Sequence, residues 1–163
     1  MRRELEWALH FRREGKPREL HTRPPLLFFT DGALEENDSC GTVGAMMVDG
    51  EVAEHFGRKV PGRMMEALQR ETKRIIAVLE IMPVTLAFKL WQKRLEHRRV
   101  FVFVDNDAAR ASLIKMSTEV AAMKVMLLRL AELLAEVPCF PWFARVASAS
   151  NPGDAPSRLE RRA

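Results

Sequence analysis

The chain has 163 residues, enough for one domain with a sizeable core, and its 47% hydrophobic and 29% charged content argues against disorder over most of its length. A formal net charge of +4 and a sequence pI of about 9.4 are compatible with an anionic partner such as nucleic acid without requiring one. Cys40 and Cys139 stand in no CxxC or Cys/His pattern, which argues against zinc and for two free thiols. No uncharged run approaches the roughly 18 residues of a membrane span, and Met1-Arg2-Arg3-Glu4 leads into no apolar signal core. The expectation is an intracellular protein, cytoplasmic or nuclear, with no membrane partner.

Residues 1–25 read as a preface to the domain, which is expected over 26–163. Leu5, Ala8, Leu9 and Phe11 give a short helical stripe among seven arginines and lysines, and Pro24-Pro25 stops any helix. Either a basic arm or an edge helix fits. Leu26 to Asp31 is apolar on both faces, as in a central strand. Thr42–Val48 and Val52–Val60 read as two further strands joined by a two-residue Asp49-Gly50 turn. Pro61-Gly62 breaks the pattern, and a long helix is expected over about 65–96, with Ile76, Leu79, Pro83, Leu86 and Leu90 as its apolar stripe and a kink at Pro83. A strand at 99–105, helices at about 107–115 and 119–136, a last strand at 142–146 and a short tail complete the chain. A helix-containing crossover between the first and fourth strands favours a parallel pair.

Two of these strands end in an aspartate, Asp31 and Asp105, and parallel neighbours would present both at their carboxyl ends, where α/β sheets place ligands. Glu80 follows Leu79 and lies four residues after Ile76, so it points near the stripe and toward the sheet. Of its rivals, Glu71 is about 900° away around the helix, on the opposite side, and Glu66 is ~21 Å along the axis. Asp154 follows the turn-like Asn151-Pro152-Gly153. Each acid alone has a bland explanation as a boundary or turn residue. Four acids that could converge point instead to divalent cations, because buried carboxylates are costly unless their charge is offset.

With these residues in place, the chain resembles the ribonuclease H-like superfamily, and in particular the RNase H domains of retroelements. Phe29-Thr30-Asp31-Gly32-Ala33 is similar to the first-strand "TDGA" motif. Phe103-Val104-Asp105-Asn106 with Ala108-Ala109 is similar to the "DN…A" motif, and Ser150 to Arg158 to the "N..AD..SR" ending. The resemblance covers roughly residues 26–158. It implies an α/β, RNase H-like fold: a five-stranded mixed sheet of three antiparallel strands with two parallel additions, flanked by helices. It also implies a two-metal endonuclease that hydrolyses the RNA strand of RNA–DNA hybrids, with Asp31, Glu80, Asp105 and Asp154 as catalytic and metal-binding residues. Asp31 would bridge two Mg²⁺ (or Mn²⁺) ions, Glu80 and Asp105 would hold one and Asp154 the other. Asp107 is a weaker alternative to Asp105.

The chain departs from cellular ribonucleases H at two points. Ala147-Ser148-Ala149-Ser150 holds no histidine where those enzymes often carry one, and the usual closing helix after Asp154 is expected to be short or missing. Lys93, Arg94, Arg98, Arg99, Arg145 and Arg158 are candidate nucleic-acid contacts, and a reverse transcriptase domain is a candidate partner. A DNA nuclease or strand-transfer domain of the same fold, or an inactive binding or scaffold domain, remain as alternatives.

Overall fold

A computed structural model of the chain describes residues 23–35 and 40–159. Most of the expected arm over residues 1–25 lies outside the described residues, as do residues 36–39 of the first loop. The described elements are β1 (Leu26–Leu34), β2 (Gly41–Asp49), β3 (Val52–Lys59), α1 (Gly62–Glu71), α2 (Ile75–Leu90), α3 (Gln92–Leu95), β4 (Arg99–Val104), α4 (Asp107–Lys115), α5 (Ala121–Glu136), β5 (Phe140–Arg145) and α6 (Asp154–Ser157). A 3₁₀ turn, Ser148–Ser150, stands between β5 and α6.

The five strands form one sheet in the order β3-β2-β1-β4-β5. The β1–β2 and β2–β3 pairs are antiparallel, and the β1–β4 and β4–β5 pairs are parallel, so the expected mixed sheet is present. The hairpin between β2 and β3 turns one residue later than the Asp49-Gly50 signal suggests. Asp49 already pairs with Val52, and the turn residues are Gly50, at φ +63°, and Glu51. Glycine tolerates that left-handed φ without steric cost.

The long helix expected over 65–96 is three helices. Thr72 is extended and closes α1, and α2 restarts at Ile75. Glu66 and Glu71 therefore stand on a different helix from Glu80, and Glu66 pairs with Arg70. The predicted stripe of α2 is also corrected. Ile76, Leu86 and Leu90 are exposed, whereas Leu79 and Pro83 are buried together with residues on every side of the helix. The reason is position: α2 packs on β1 and β2 and also against α4 and α5. A helix covered on two sides is apolar almost all round and has no single stripe to read.

Side chains of β1 alternate between two environments. Phe28 meets the rings of Phe88 and Trp91 at 5.5 and 5.2 Å, so the even positions face α2. Phe29 and Asp31 face the other way, where Phe29 stacks on Phe103 at 4.8 Å. At the base of the sheet, Arg98 is 6% exposed and donates to both Asp49 oxygens, at 2.8 and 2.9 Å, and to the Pro24 carbonyl at 2.5 Å. Nearby, Trp91 Nε1 and Arg94 donate to Glu54. This network ties the end of α2 and the start of β4 to the β2–β3 hairpin.

Candidate active site

The site forms where the sheet splits. The parallel β1–β4 ladder runs from Leu26↔Val100 to Phe29↔Phe103, while β1 continues beside β2 as far as Leu34. Asp31 and Asp105 each lie two residues beyond the last β1–β4 pair, so alternation puts both on the Phe29 and Phe103 side. Thr30, fully buried, fastens the strands just before the split by donating from Oγ1 to the Phe103 carbonyl at 3.2 Å.

Glu80 reaches the split from α2. The approach depends on Gly32: a Cβ there would lie 2.5 Å from the Leu79 carbonyl carbon and 2.9 Å from Glu80 N. Only glycine lets the α2 backbone come that close to β1. Oxygen atoms of Asp31, Glu80 and Asp105 lie within 4.8 Å of one another, forming a group that could hold a metal ion.

The C-terminal segment closes the site from the opposite face. Gly44 and Gly57 pair across β2 and β3 in the row of Asp31. Pro156 and Ser157 of α6 press their backbone onto both glycines, in space that a Cβ would fill. Asn151 Nδ2 donates to the Thr30 carbonyl at 3.0 Å, and its Oδ1 accepts from Gly153 N at 3.0 Å. This notch brings Asp154 close enough to influence the charge of Asp31. Asp154 accepts a hydrogen bond from Arg158 Nε at 2.8 Å. It is not one of the three residues whose oxygens cluster.

The electrostatics are those of buried acids crowded together. Glu80 is 3% exposed, and burial, then the charges of Asp105 and Asp31, push its pKa up to about 9. A hydrogen bond with Asp105 acts in the same direction, and one from the Gly32 backbone opposes it. Among the described residues, Glu80 Oε2 has no hydrogen-bond partner. Burial also raises Asp31, against a hydrogen bond from Ser157. A buried carboxylate group with an unpartnered oxygen, made of hard donors and holding no sulfur or imidazole, fits a divalent cation such as Mg²⁺ or Mn²⁺.

Two hydroxyls at this site were not foreseen from the sequence. Ser148 Oγ donates to Asp105 Oδ2 at 2.6 Å, from the loop that lacks the histidine. Ser157 Oγ donates to Asp31 Oδ2. The signal for Ser157 was its place three residues after Asp154, which in a helix keeps the two on neighbouring positions. Nothing in the sequence singled out Ser148.

The other candidates divide between the two ends of the sheet. Arg145 pairs in register with Val104, one residue before Asp105, and its Nε is 3.7 Å from Asp107. Asp107 starts α4 and also faces Arg110, which sets it apart from the carboxylate group. Arg158 lies beside Asp154. Lys93, Arg94, Arg98 and Arg99 are at the opposite end, roughly 17 Å away by the rise of a five-step strand. Arg98 is corrected from a surface contact to a buried structural residue, because Asp49 and the Pro24 carbonyl occupy its guanidinium. Arg94 is engaged by Glu54 and Asp49, whereas Arg99 is exposed.

Sheet order, helix placement and the acidic group together define a ribonuclease H-like fold. Solved structures agree. The RNase H1 of the halophilic archaeon Halobacterium salinarum NRC-1 superposes with a TM-score of 0.60 at 15% identity, covering 83% of this chain and 96% of that chain. The N-terminal RNase H domain of rv2228c from Mycobacterium tuberculosis gives a TM-score of 0.61 at 10% identity, over 83% and 91%. LC11-RNase H1, solved in complex with an RNA/DNA hybrid, gives 0.61 at 12% identity, over 83% and 95%. No protein-family model and no curated protein matches the sequence.

Proposed function

We propose that this chain is a metal-dependent endonuclease of the ribonuclease H type, cutting the RNA strand of RNA–DNA hybrids. The observation that carries this reading is the group of Asp31, Glu80 and Asp105 at the split between β1 and β4, with an unpartnered Glu80 oxygen. The likeness to ribonuclease H structures, one of them in complex with an RNA/DNA hybrid, supports it. Asp31, Glu80 and Asp105 would hold Mg²⁺ or Mn²⁺, and Asp154 would complete the set from α6. Two ions are proposed on the resemblance. Bound ions of this kind supply an activated water and stabilise charge on the leaving oxygen.

The chain's own residues do the positioning. Gly32 and the Gly44–Gly57 pair bring α2 and α6 to the two sides of Asp31. Arg145 and Arg158, at the same end of the sheet, are proposed as phosphate contacts, with exposed Lys93 and Arg99 as contacts with a more distant part of a duplex. A retroelement origin, with a reverse transcriptase domain as partner, is proposed on the motifs around Asp31, Asp105 and Asp154 alone.

The test is cleavage of an end-labelled RNA–DNA hybrid with Mg²⁺ or Mn²⁺, beside Asp105→Asn and beside duplex DNA. Cleavage of the hybrid by the native chain alone supports the proposal. Cleavage of DNA in preference to the hybrid moves the chain to a DNA nuclease. Binding of the hybrid in EDTA with no cleavage under any condition moves it to a scaffold role.

A further inference from the structure

Ser157 is fully buried, and its hydroxyl donates to Asp31 Oδ2 and also lies 2.8 Å from the Asp154 carbonyl. Its backbone N–H is used by the Gly153 carbonyl at 3.1 Å. We infer that Ser157 is a positioning residue for the candidate metal centre, holding the Asp31 carboxylate turned toward Glu80 and Asp105. This rests on the reading of that acidic group as a metal site.

The physical need for such a latch is plain from the surroundings of Asp31. Asp105 and Asp154 repel its carboxylate, and Arg158 attracts it. In the absence of a cation these forces favour rotation away from the other acids. A carboxylate that a cation must first pull back binds that cation more weakly. The latch resists the rotation from a fixed base, because α6 is seated in the Gly44–Gly57 notch and Ser157 N itself presses on Gly44. A role confined to α6 would need the contact with the Asp154 carbonyl alone. The bond to Asp31, 126 residues away in sequence, adds nothing to that short helix. It does fix one oxygen of a cluster member, as hydrogen bonds to metal-ligating carboxylates do.

The experiment is calorimetric titration of Mn²⁺ into the full chain, native and as Ser157→Ala, Ser157→Thr and Ser157→Cys. It is run without nucleic acid and well below each melting temperature. The expected result is affinity weakened about 10- to 100-fold in Ser157→Ala, with Ser157→Thr, which keeps the hydroxyl, near the native value. Ser157→Cys replaces Ser157→Ala if the latter is unfolded at the assay temperature, with the same weakening expected from its poorer donor. Unchanged affinity in a folded Ser157→Ala, or Ser157→Thr as weak as Ser157→Ala, would overturn the inference. Native protein that binds no Mn²⁺ fails the metal reading itself, a result distinct from native and variant binding alike.

Discussion

A carboxylic acid that is 3% exposed, with one oxygen that finds no partner among the described residues, is costly to keep in a helix, and Glu80 is such a residue. Its raised pKa has a defined consequence for stability. From about 4.5, its ordinary value, to about 9, the folded state keeps a proton that the unfolded state has released. Stability without divalent ions therefore falls as pH rises through that window and levels off above it. Asp31, also raised, adds in the same direction from its own ordinary value of 3.8. Melting in EDTA across this range should show the decline, and Glu80→Gln should flatten it. A cation favours the charged form, so saturating Mn²⁺ should oppose the decline. Asp31→Asn should abolish cleavage, yet raise the melting temperature in EDTA by relieving like-charge repulsion. A melting temperature that drops sharply in Asp31→Asn with activity retained would remove Asp31 from the site.

At the scale of elements, two glycine contacts decide where the acids meet. In Gly44→Ala the new Cβ meets the Ser157 backbone, which the notch holds rigidly. We expect about 1–3 kcal/mol of destabilisation by urea unfolding, with weakened Mn²⁺ binding as α6 lifts from Asp31. The base of the sheet behaves independently. Arg98→Ala removes hydrogen bonds to Asp49 and to the Pro24 carbonyl and should cost about 1.5–3 kcal/mol. It should leave Mn²⁺ affinity unchanged, because the carboxylates are at the far end of β1 and β4. Arg98 holds the Asp49 pKa below its ordinary value of 3.8. The stabilisation from that pair is thus present above that pH and lost as pH falls through the folded value, and Arg98→Ala should abolish this acid-side loss.

For the whole molecule, binding that favours the folded state over the unfolded one stabilises by mass action. Divalent ion at about 100 times its dissociation constant adds about 2.7 kcal/mol. At about 2–4 °C per kcal/mol for a domain of this size, the melting temperature should rise by roughly 5–10 °C and return when EDTA is added. A native chain whose melting is indifferent to Mg²⁺ and Mn²⁺ would contradict the metal reading. No helix among the described residues is long and apolar enough to cross a membrane.

The sequence by itself marked out the strands and placed Asp105 just past β4, because apolar runs that stop at a charge are local signals. But β1 does not end at Asp31: it runs on three residues to Leu34, because β2 keeps pairing with it there. The sequence also determined the hairpin within one residue, since Gly50 is needed at positive φ wherever the turn settles. The helix pattern was legible only where one face is buried. In α5 the spacing of Val120, Met123, Leu127, Leu130 and Leu134 predicts one apolar face. Met123, Leu127 and Leu130 are in the core, with Leu133 beside them, while Val120 and Leu134 are only partly buried against it. In α2 the periodicity misled, because sheet and helices cover it together and Ile76, Leu86 and Leu90 are left outside. No local signal showed that Arg98 is spent on Asp49, that Ser148 and Ser157 donate to Asp105 and Asp31, or that Asp154 stands apart from the clustered oxygens. Each of these is a contact between residues more than 40 positions apart or a matter of a few ångströms. Such distances follow from how closely backbones can approach at Gly32, Gly44 and Gly57, and no local pattern encodes that.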